Sequence, residues 1–492
     1  MRAAPMPDPE QAGTLRLLGA DHLGPSLQRE LRGWSALALG SLAVAGVFAL
    51  LLALSRMPGI EGVFPWPVGF FHKGLVIHVV FSFVVWFLAV FAAISLIATH
   101  AAAGPTPRLA WLGQAGVVGM AIAMPLLFVP ALLDRGEATL NNYVPTIIDP
   151  LYYTGLVVMA VAVTLPVIRL FANLPGVRPG ALALKAAACG LSYLAALVGF
   201  AWAWALLAGE TPSYAFNEHL FWGGGHILQF LNTQLLLIGW IVLASLVLGR
   251  SVGVRVGVAA VGFLAVVAVA APALYLVFPA FSAAQTQAFT DLQFALGPAA
   301  LAVALAVAAG WRARGRWRDP AFLYLTLSLP VFAVGGAFGL FVDGADTRTP
   351  AHYHGVIAAV TLVFMGLVTQ VFLPALGRPV PRSRMLLWHI RLFAGGQLAA
   401  CIGLFLAGTF GTPRKAAGAD QQLEHVGAVI GMALNGGGGL IAVIGGILFV
   451  WIAGRALLSS PGALHPHLAD VAPPRHRHQG SVALNPGTPH QS

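Results

Sequence analysis

The stretch Thr347-Arg348-Thr349-Pro350-Ala351-His352-Tyr353-His354-Gly355 opens a long apolar run, with two histidines two residues apart at its mouth. On an α-helix each residue advances about 100°, so His352 and His354 point about 200° apart. One helix then offers an imidazole to each flank and can serve two separate metal centres. Imidazoles in a hydrocarbon-facing bundle are costly unless they are ligands or hydrogen-bonded. Two interfacial histidines capping a membrane helix are the plainer alternative, and the rest of the chain decides between the two.

Only 9% of the 492 residues are charged and 58% are hydrophobic, with a mean hydropathy of +0.82. A soluble domain carries about 25% charged residues, so the chain is expected to be an all-α integral membrane protein. Apolar runs near 34–54, 74–99, 110–133, 151–171, 184–208, 223–248, 255–278, 293–311, 321–342, 352–376, 387–410 and 427–453 each reach the roughly 20 residues a bilayer requires. The expected architecture is a twelve-transmembrane-helix bundle in contact with lipid. The net charge of +10 belongs to loops, so no nucleic-acid partner is expected. Arginines crowd the tails and the even-numbered connections, Arg250, Arg255 and Arg312 to Arg318 among them. The opposite face has Arg56, Lys73, Arg135, Arg348, Arg414 and Lys415. By the positive-inside rule both termini are expected in the cytoplasm.

Residues 1–32 form a polar N-terminal segment without the apolar core of a signal peptide, so insertion is expected to rely on the first span. Residues 33–456 make up the membrane domain. Residues 457–492, rich in Pro, Gly and His, read as a disordered cytoplasmic tail. Its histidines, His465 to His490, are expected to be solvated rather than metal-binding. Cys189 and Cys401 both lie in apolar runs, which excludes a disulfide framework and a thiolate metal cluster.

His78 opens the second span and His226 the sixth, as His352 and His354 open the tenth. All three spans are even-numbered and run the same way. The four imidazoles are therefore expected at similar depth, one or two turns below the outer face, which favours ligands over unrelated core histidines. Gly223, Gly224 and Gly225 precede His226, and Gly355 follows His354. Bare backbone there lets a large flat group or another helix come close. The run Gly436–Gly439 reads as helix packing. Arg135, Arg348, Arg414 and Lys415 are the outer cations available to carboxylates such as haem propionates.

With these features together, the chain resembles subunit I of the haem–copper oxidase superfamily, nearest to the B-type oxygen reductases and the nitric oxide reductases related to them. The segment from Thr349 to Val380, TPAHYHGVIAAVTLVFMGLVTQVFLPALGRPV, is similar to the family's tenth helix. HKGLVIHVVFSF, FWGGGHILQF and GTPRK match its second helix, sixth helix and propionate-binding basic pair. The resemblance implies that His78 and His354 are the axial ligands of a low-spin haem, and His352 the proximal ligand of a high-spin haem. It implies that His226 holds a second metal, copper or non-haem iron, and acts with His352 in catalysis. Arg414, Lys415 and Arg348 become candidate propionate partners. The haem type, b or a/o, stays open. A periplasmic cytochrome c or cupredoxin-type subunit would donate electrons to reduce O2, or alternatively NO, at a bacterial or archaeal cytoplasmic membrane.

The chain departs from the family at the second metal. Its seventh span ends Ala273-Leu274-Tyr275-Leu276-Val277-Phe278-Pro279-Ala280-Phe281, without the usual histidine pair. Asp291, Gln285, Gln287, Glu218 or His219 are possible substitutes from the outer loops. Phe230 stands four residues past His226 where oxygen-reducing members often carry tyrosine; Tyr275 is the candidate substitute, with an interface aromatic as the plainer reading. Tyr324, Thr326, Ser328 and Thr361 are candidates for proton uptake. A non-catalytic diheme relay or gas sensor, and a twelve-span secondary transporter, remain alternative readings.

Overall fold

Polar side chains and prolines set the starts of the helices. Asp149 accepts a hydrogen bond from Leu151 N at 2.8 Å with Pro150 in the first turn, and Ser213 accepts from Phe216 N at 3.1 Å. Asp319 and Ser383 do the same for Phe322 N and Leu386 N, both at 3.2 Å. Each bond satisfies a backbone donor that a helix start leaves unpaired. The computed structural model describes residues 23–55, 68–309, 316–342, 344–416 and 418–460.

Among the described residues, twelve helices are long and apolar enough to cross a membrane. They are α1 (Pro25–Ser55), α2 (Val68–Ala103, with a π-helical stretch at Val80–Val85), α3 (Ala110–Leu132), α4 (Pro150–Ala172), α5 (Ala181–Leu206) and α6 (Tyr214–Leu248). Then follow α7 (Val254–Val277), α8 (Ala283–Ala309), α9 (Pro320–Phe338, tightening to a 3-10 turn at Gly339–Phe341), α10 (Arg348–Ala375, π-helical at Val368–Phe372), α11 (Arg384–Thr409) and α12 (Val426–Leu458). Between α3 and α4 a two-stranded hairpin, β1 (Ala138–Thr139) and β2 (Thr146–Ile147), pairs Ala138 with Ile147 and Thr139 with Thr146.

The helices are not equally enclosed. In α2, α6 and α10 the apolar window is 94%, 89% and 83% buried, against 22–50% in the other nine. These three carry the four histidines. The bundle thus wraps these three helices inside the other nine. Packing relies on small residues where backbones meet, as expected when lipid removes the hydrophobic drive between helices. Cβ atoms added at Gly396, Gly403, Gly431, Gly438 or Gly445 would strike the facing backbone of α11 or α12. Of the run Gly436–Gly439 only Gly438 has this role; Gly436, Gly437 and Gly439 have open space beside them.

Several expected boundaries move. The limit at residue 32 falls inside α1, which begins at Pro25 and buries Glu30 completely. The limit at 456 falls inside α12, which ends at Leu458. The sixth and eighth spans start at Tyr214 and Ala283, well before the apolar runs at 223 and 293, because polar turns at their mouths are helical too. His226 therefore follows the start of α6 by 12 positions and His352 follows that of α10 by four, or about 18 and 6 Å at 1.5 Å per residue. Equal depth counted from the helix ends does not hold. The early turns of α6 carry Asn217, Glu218 and His219. Arg56, Arg312, Arg314, residues 1–22 and the histidine-rich tail lie outside the described residues.

Candidate functional site

The four candidate histidines share one local arrangement, which His389 of α11 has as well, with its Nδ1 2.9 Å from Gly445 O. His78 Nδ1 lies 2.9 Å from Ala45 O on α1, and His352 Nδ1 2.8 Å from Gly335 O on α9. His354 Nδ1 lies 2.8 Å from Pro350 O one turn back, and His226 Nδ1 2.8 Å from Trp222 O. A carbonyl oxygen only accepts, so each Nδ1 carries the proton and each Nε2 the lone pair. A backbone carbonyl on one ring nitrogen is the usual means of orienting a histidine that ligates metal through the other.

Helix α10 stays helical through His352 and His354, so the two rings diverge as their spacing predicts. His352 turns to α9. There Gly335 accepts its hydrogen bond, and a Cβ at Gly339 would lie 2.7 Å from its Nδ1. Gly355 meets Gly335 so closely that an added Cβ would lie 2.6 Å from Gly335 Cα. The glycine after His354 thus admits a second helix, and Cys401 Sγ, donating to Ala351 O at 2.9 Å, closes the other side. On the flank shared by α2 and α10, Trp86 and Phe87 pack on Phe364 with centroids 6.1 and 5.0 Å apart. These rings follow His78 and His354 by eight to ten residues, so the two histidines stand at comparable heights above one aromatic contact.

At the three glycines before His226 another helix does come close, since a Cβ at Gly199 of α5 would lie 3.1 Å from Gly224 Cα, and aromatic side chains fill the rest. Phe200 covers Gly224, and Tyr275 and Phe289 cover Gly223. A Cβ at Gly225 would lie 2.5 Å from Tyr143 Cβ. Aromatic side chains occupy the cleared space, not a macrocycle. Tyr143, from the loop joining β1 to β2, places its hydroxyl 2.7 Å from His226 Nε2. No spacing in the sequence pointed to it. Burial, followed by the nearby Glu218 carboxylate, pushes its phenol above the usual range.

The substitute donors are scattered. Glu218 and His219 sit on α6, and Gln285, Gln287 and Asp291 on α8, rather than in loops. Gln285 accepts from Phe281 N at 2.9 Å, and Gln287 donates to Asp291 at 2.8 Å. Among the described residues no group of three or more His, Cys, Asp or Glu side chains is placed to hold a metal ion. Tyr275 is buried and stacks on Trp202 at 5.9 Å, so it is no interface aromatic. Above it a cavity of about 140 Å³ is lined by Glu218, His219, Trp222, Phe281 and Phe289 among others.

The three candidate propionate partners converge on one loop. Thr347 N donates to Thr412 O at 3.0 Å and Asp346 bridges Pro413, which ties the start of α10 to the basic pair. Arg348 is engaged by Asp346 at 2.7 Å, while Arg414 donates to Asn142 Oδ1 at 3.2 Å and Lys415 to Leu140 O. Burial, and next the Arg414 charge, lower Lys415 to about 8 against the raising effect of Glu218. It stays cationic at neutral pH. Arg135 instead pairs with Asp149 at 2.9 Å.

Of the proton-uptake candidates, Tyr324 lies 2.9 Å from His389 Nε2, a partner the sequence reading missed, and 3.4 Å from Thr369 Oγ1. Thr326 donates to Phe322 O at 2.6 Å, Ser328 accepts from Trp240 at 2.9 Å, and Thr361 is buried.

Twelve spans, with His78, His226, His352 and His354 on the three most enclosed of them, define a multi-pass membrane protein. Residues 32–448 match the family model described as cytochrome C and quinol oxidase polypeptide I. The chain belongs to this family, the subunit I family of the haem–copper oxidases. It is 22% identical over 503 aligned positions, 87% of this chain and 96% of the relative, to an uncharacterised protein of Rickettsia prowazekii. It is 28% identical to cytochrome c oxidase subunit 1 of Thermus thermophilus over 34% of this chain and 31% of that one. A heme-copper terminal oxidase dimer solved by cryo-electron microscopy shares its fold, with a TM-score of 0.71 and 14% identity over 89% of this chain and 85% of the other. The family carries a terminal-oxidase-like oxidoreductase role with haem, and takes the place of the transporter alternative. Histidines with the lone pair on Nε2 fit haem. The donors around His226 do not fit a second metal.

Proposed function

We propose that the chain is the haem-bearing subunit of a respiratory terminal-oxidase-like complex that delivers electrons to a diatomic gas, O2 or NO. The observation that carries this reading is the common Nδ1-to-carbonyl arrangement of His78, His352 and His354 on the enclosed helices. His78 and His354 would hold the low-spin haem and His352 the high-spin one. Haem, when bound, supplies one-electron transfer, and a single axial histidine leaves a position for the gas. The chain orients the ligands: α1, α9 and the first turn of α10 supply the three carbonyls. Lys415 and Arg414 place positive charge at this end for carboxylates, and the buried aromatic contact of α2 with α10 excludes water beneath.

Electrons would come from a periplasmic cytochrome c or cupredoxin-type subunit, with both termini cytoplasmic. O2 is the first assignment. The pairing of His226 with Tyr143 favours one second reading, in which the haems relay electrons or sense gas without turnover.

A reduced-minus-oxidised spectrum with and without carbon monoxide tests the proposal. Wild type is expected to show low-spin haem and a carbon monoxide-binding component. His352→Ala should lose that component and keep the low-spin signal, while His78→Ala should lose the low-spin signal. A carbon monoxide response that survives in His352→Ala refutes the assignment. Consumption of O2 or NO by the complex sinks the relay reading.

A further inference from the structure

We infer that Tyr143 and His226 form a resident hydrogen-bonded pair that takes the place of a second metal ion at this end of the bundle. The inference deepens the reading above and rests on its view of α6 as part of the site. His226 is 1% exposed and both its ring nitrogens are used. Nδ1–H donates to Trp222 O at 2.8 Å, so the lone pair is on Nε2, where it accepts the Tyr143 hydroxyl at 2.7 Å. A metal ion would need that same lone pair.

Three independent features hold the phenol there. The first is backbone strain: Tyr143 has a φ of 62°, left-handed for a bulky residue, and such conformations persist only where the surroundings impose them. The second is the clearance at Gly225, where a Cβ would lie 2.5 Å from Tyr143 Cβ. Any larger residue would push the tyrosine off the imidazole. The third is the anchoring of its loop. Asn141 donates to Val144 O at 2.6 Å, Val144 N to Asn142 O at 2.7 Å, and Arg414 and Lys415 grip Asn142 and Leu140 from the basic loop.

The remaining donors do not make a metal site. Thr290 Oγ1 is 3.5 Å from His226 Nε2, and it already donates to Thr286 O at 3.1 Å. Copper and non-haem iron need several nitrogen, sulfur or carboxylate donors; the nearby Glu218 carboxylate accepts from Asn142 at 3.3 Å, and among the described residues it belongs to no group of three or more His, Cys, Asp or Glu side chains able to hold an ion. A metal entering here would also break the Tyr143 bond.

The test uses the full chain, purified and haem-loaded, equilibrated with copper(I) or ferrous iron, dialysed, and analysed for metals beside a haem assay. Wild type should retain no copper and no iron beyond that counted in haem, and His226→Ala should give the same result. An extra ion held by wild type and lost in His226→Ala overturns the inference. A double-mutant cycle in thermal unfolding with Tyr143→Phe and His226→Phe gives a second readout. The double variant should lose less than the two singles summed, because either single already breaks the bond; strict additivity overturns the pair. Absence of haem from the purified protein would refute the functional reading alone, since the ion count and the cycle still decide the pair.

Discussion

Gly335→Ala should abolish carbon monoxide binding and lower thermal stability sharply, while Gly336→Ala, its chain neighbour, should leave both nearly unchanged. At position 335 an added Cβ would lie 2.6 Å from Val356 N and 2.7 Å from Gly355 C, both backbone atoms of α10. Backbone cannot rotate aside as a flexible side chain can, so α9 and α10 must separate. Overpacking of this kind costs about 1–3 kcal/mol and occasionally more, and contact with backbone puts this case at the upper end. The carbonyl of Gly335 also accepts the His352 Nδ1 hydrogen bond at 2.8 Å. Separating the helices lengthens that bond and releases the ring that is proposed to hold the high-spin haem.

Gly336 has nothing within 4 Å of an added Cβ, and alanine has the higher helix propensity. Gly339→Ala is the intermediate case. Its Cβ would meet the His352 ring itself at 2.7 Å, so it should disturb the carbon monoxide spectrum more than the melting temperature. Spectra and melting curves of the three variants check this order. Equal loss in Gly335→Ala and Gly336→Ala would mean that the α9–α10 contact is not responsible.

The twelve spans were legible because hydropathy needs only composition over some twenty residues, and the divergence of His352 and His354 followed from helix geometry alone. Where the helices begin was less legible. Hydropathy stops near residue 223, but Ser213 caps α6 seven residues after α5 ends at Leu206, so Glu218 and His219 became helical rather than loop. Capping chemistry carried that information, and apolar periodicity did not. The glycine run before His226 announced a close approach without saying by what. Phe200, Tyr275, Phe289 and Tyr143 come from four different elements, and only tertiary structure brings them together. Tyr143 was hidden for the same reason, since a left-handed tyrosine leaves no mark in the sequence. The missing histidine pair was legible, and the donors around His226 agree with it.

At the opposite end of the bundle, Glu30→Gln should cost about 3–5 kcal/mol, the usual penalty for stranding one member of a buried ion pair. Glu30 takes both terminal nitrogens of Arg169, at 2.5 and 2.8 Å, and neither residue is exposed. Arg169 Nε has no partner among the described residues, so its guanidinium depends on this carboxylate. The pair joins α1 to α4 across α3, and Gly113 of α3 leaves the room: a Cβ there would fall on Arg169 Nη1 and the Glu30 carboxylate. Gly113→Ala should therefore destabilise by the same route with both charges still present. Replacing both members, as in Glu30→Leu with Arg169→Met, removes the stranded charge, and it should recover much of the loss because apolar pairs of similar volume often equal or exceed a buried ion pair. Thermal unfolding followed by tryptophan fluorescence reads all three, since Trp34 packs fully buried one turn along from Glu30. A double variant no better than Glu30→Gln would show that the pair contributes through its own attraction rather than through the cost of breaking it.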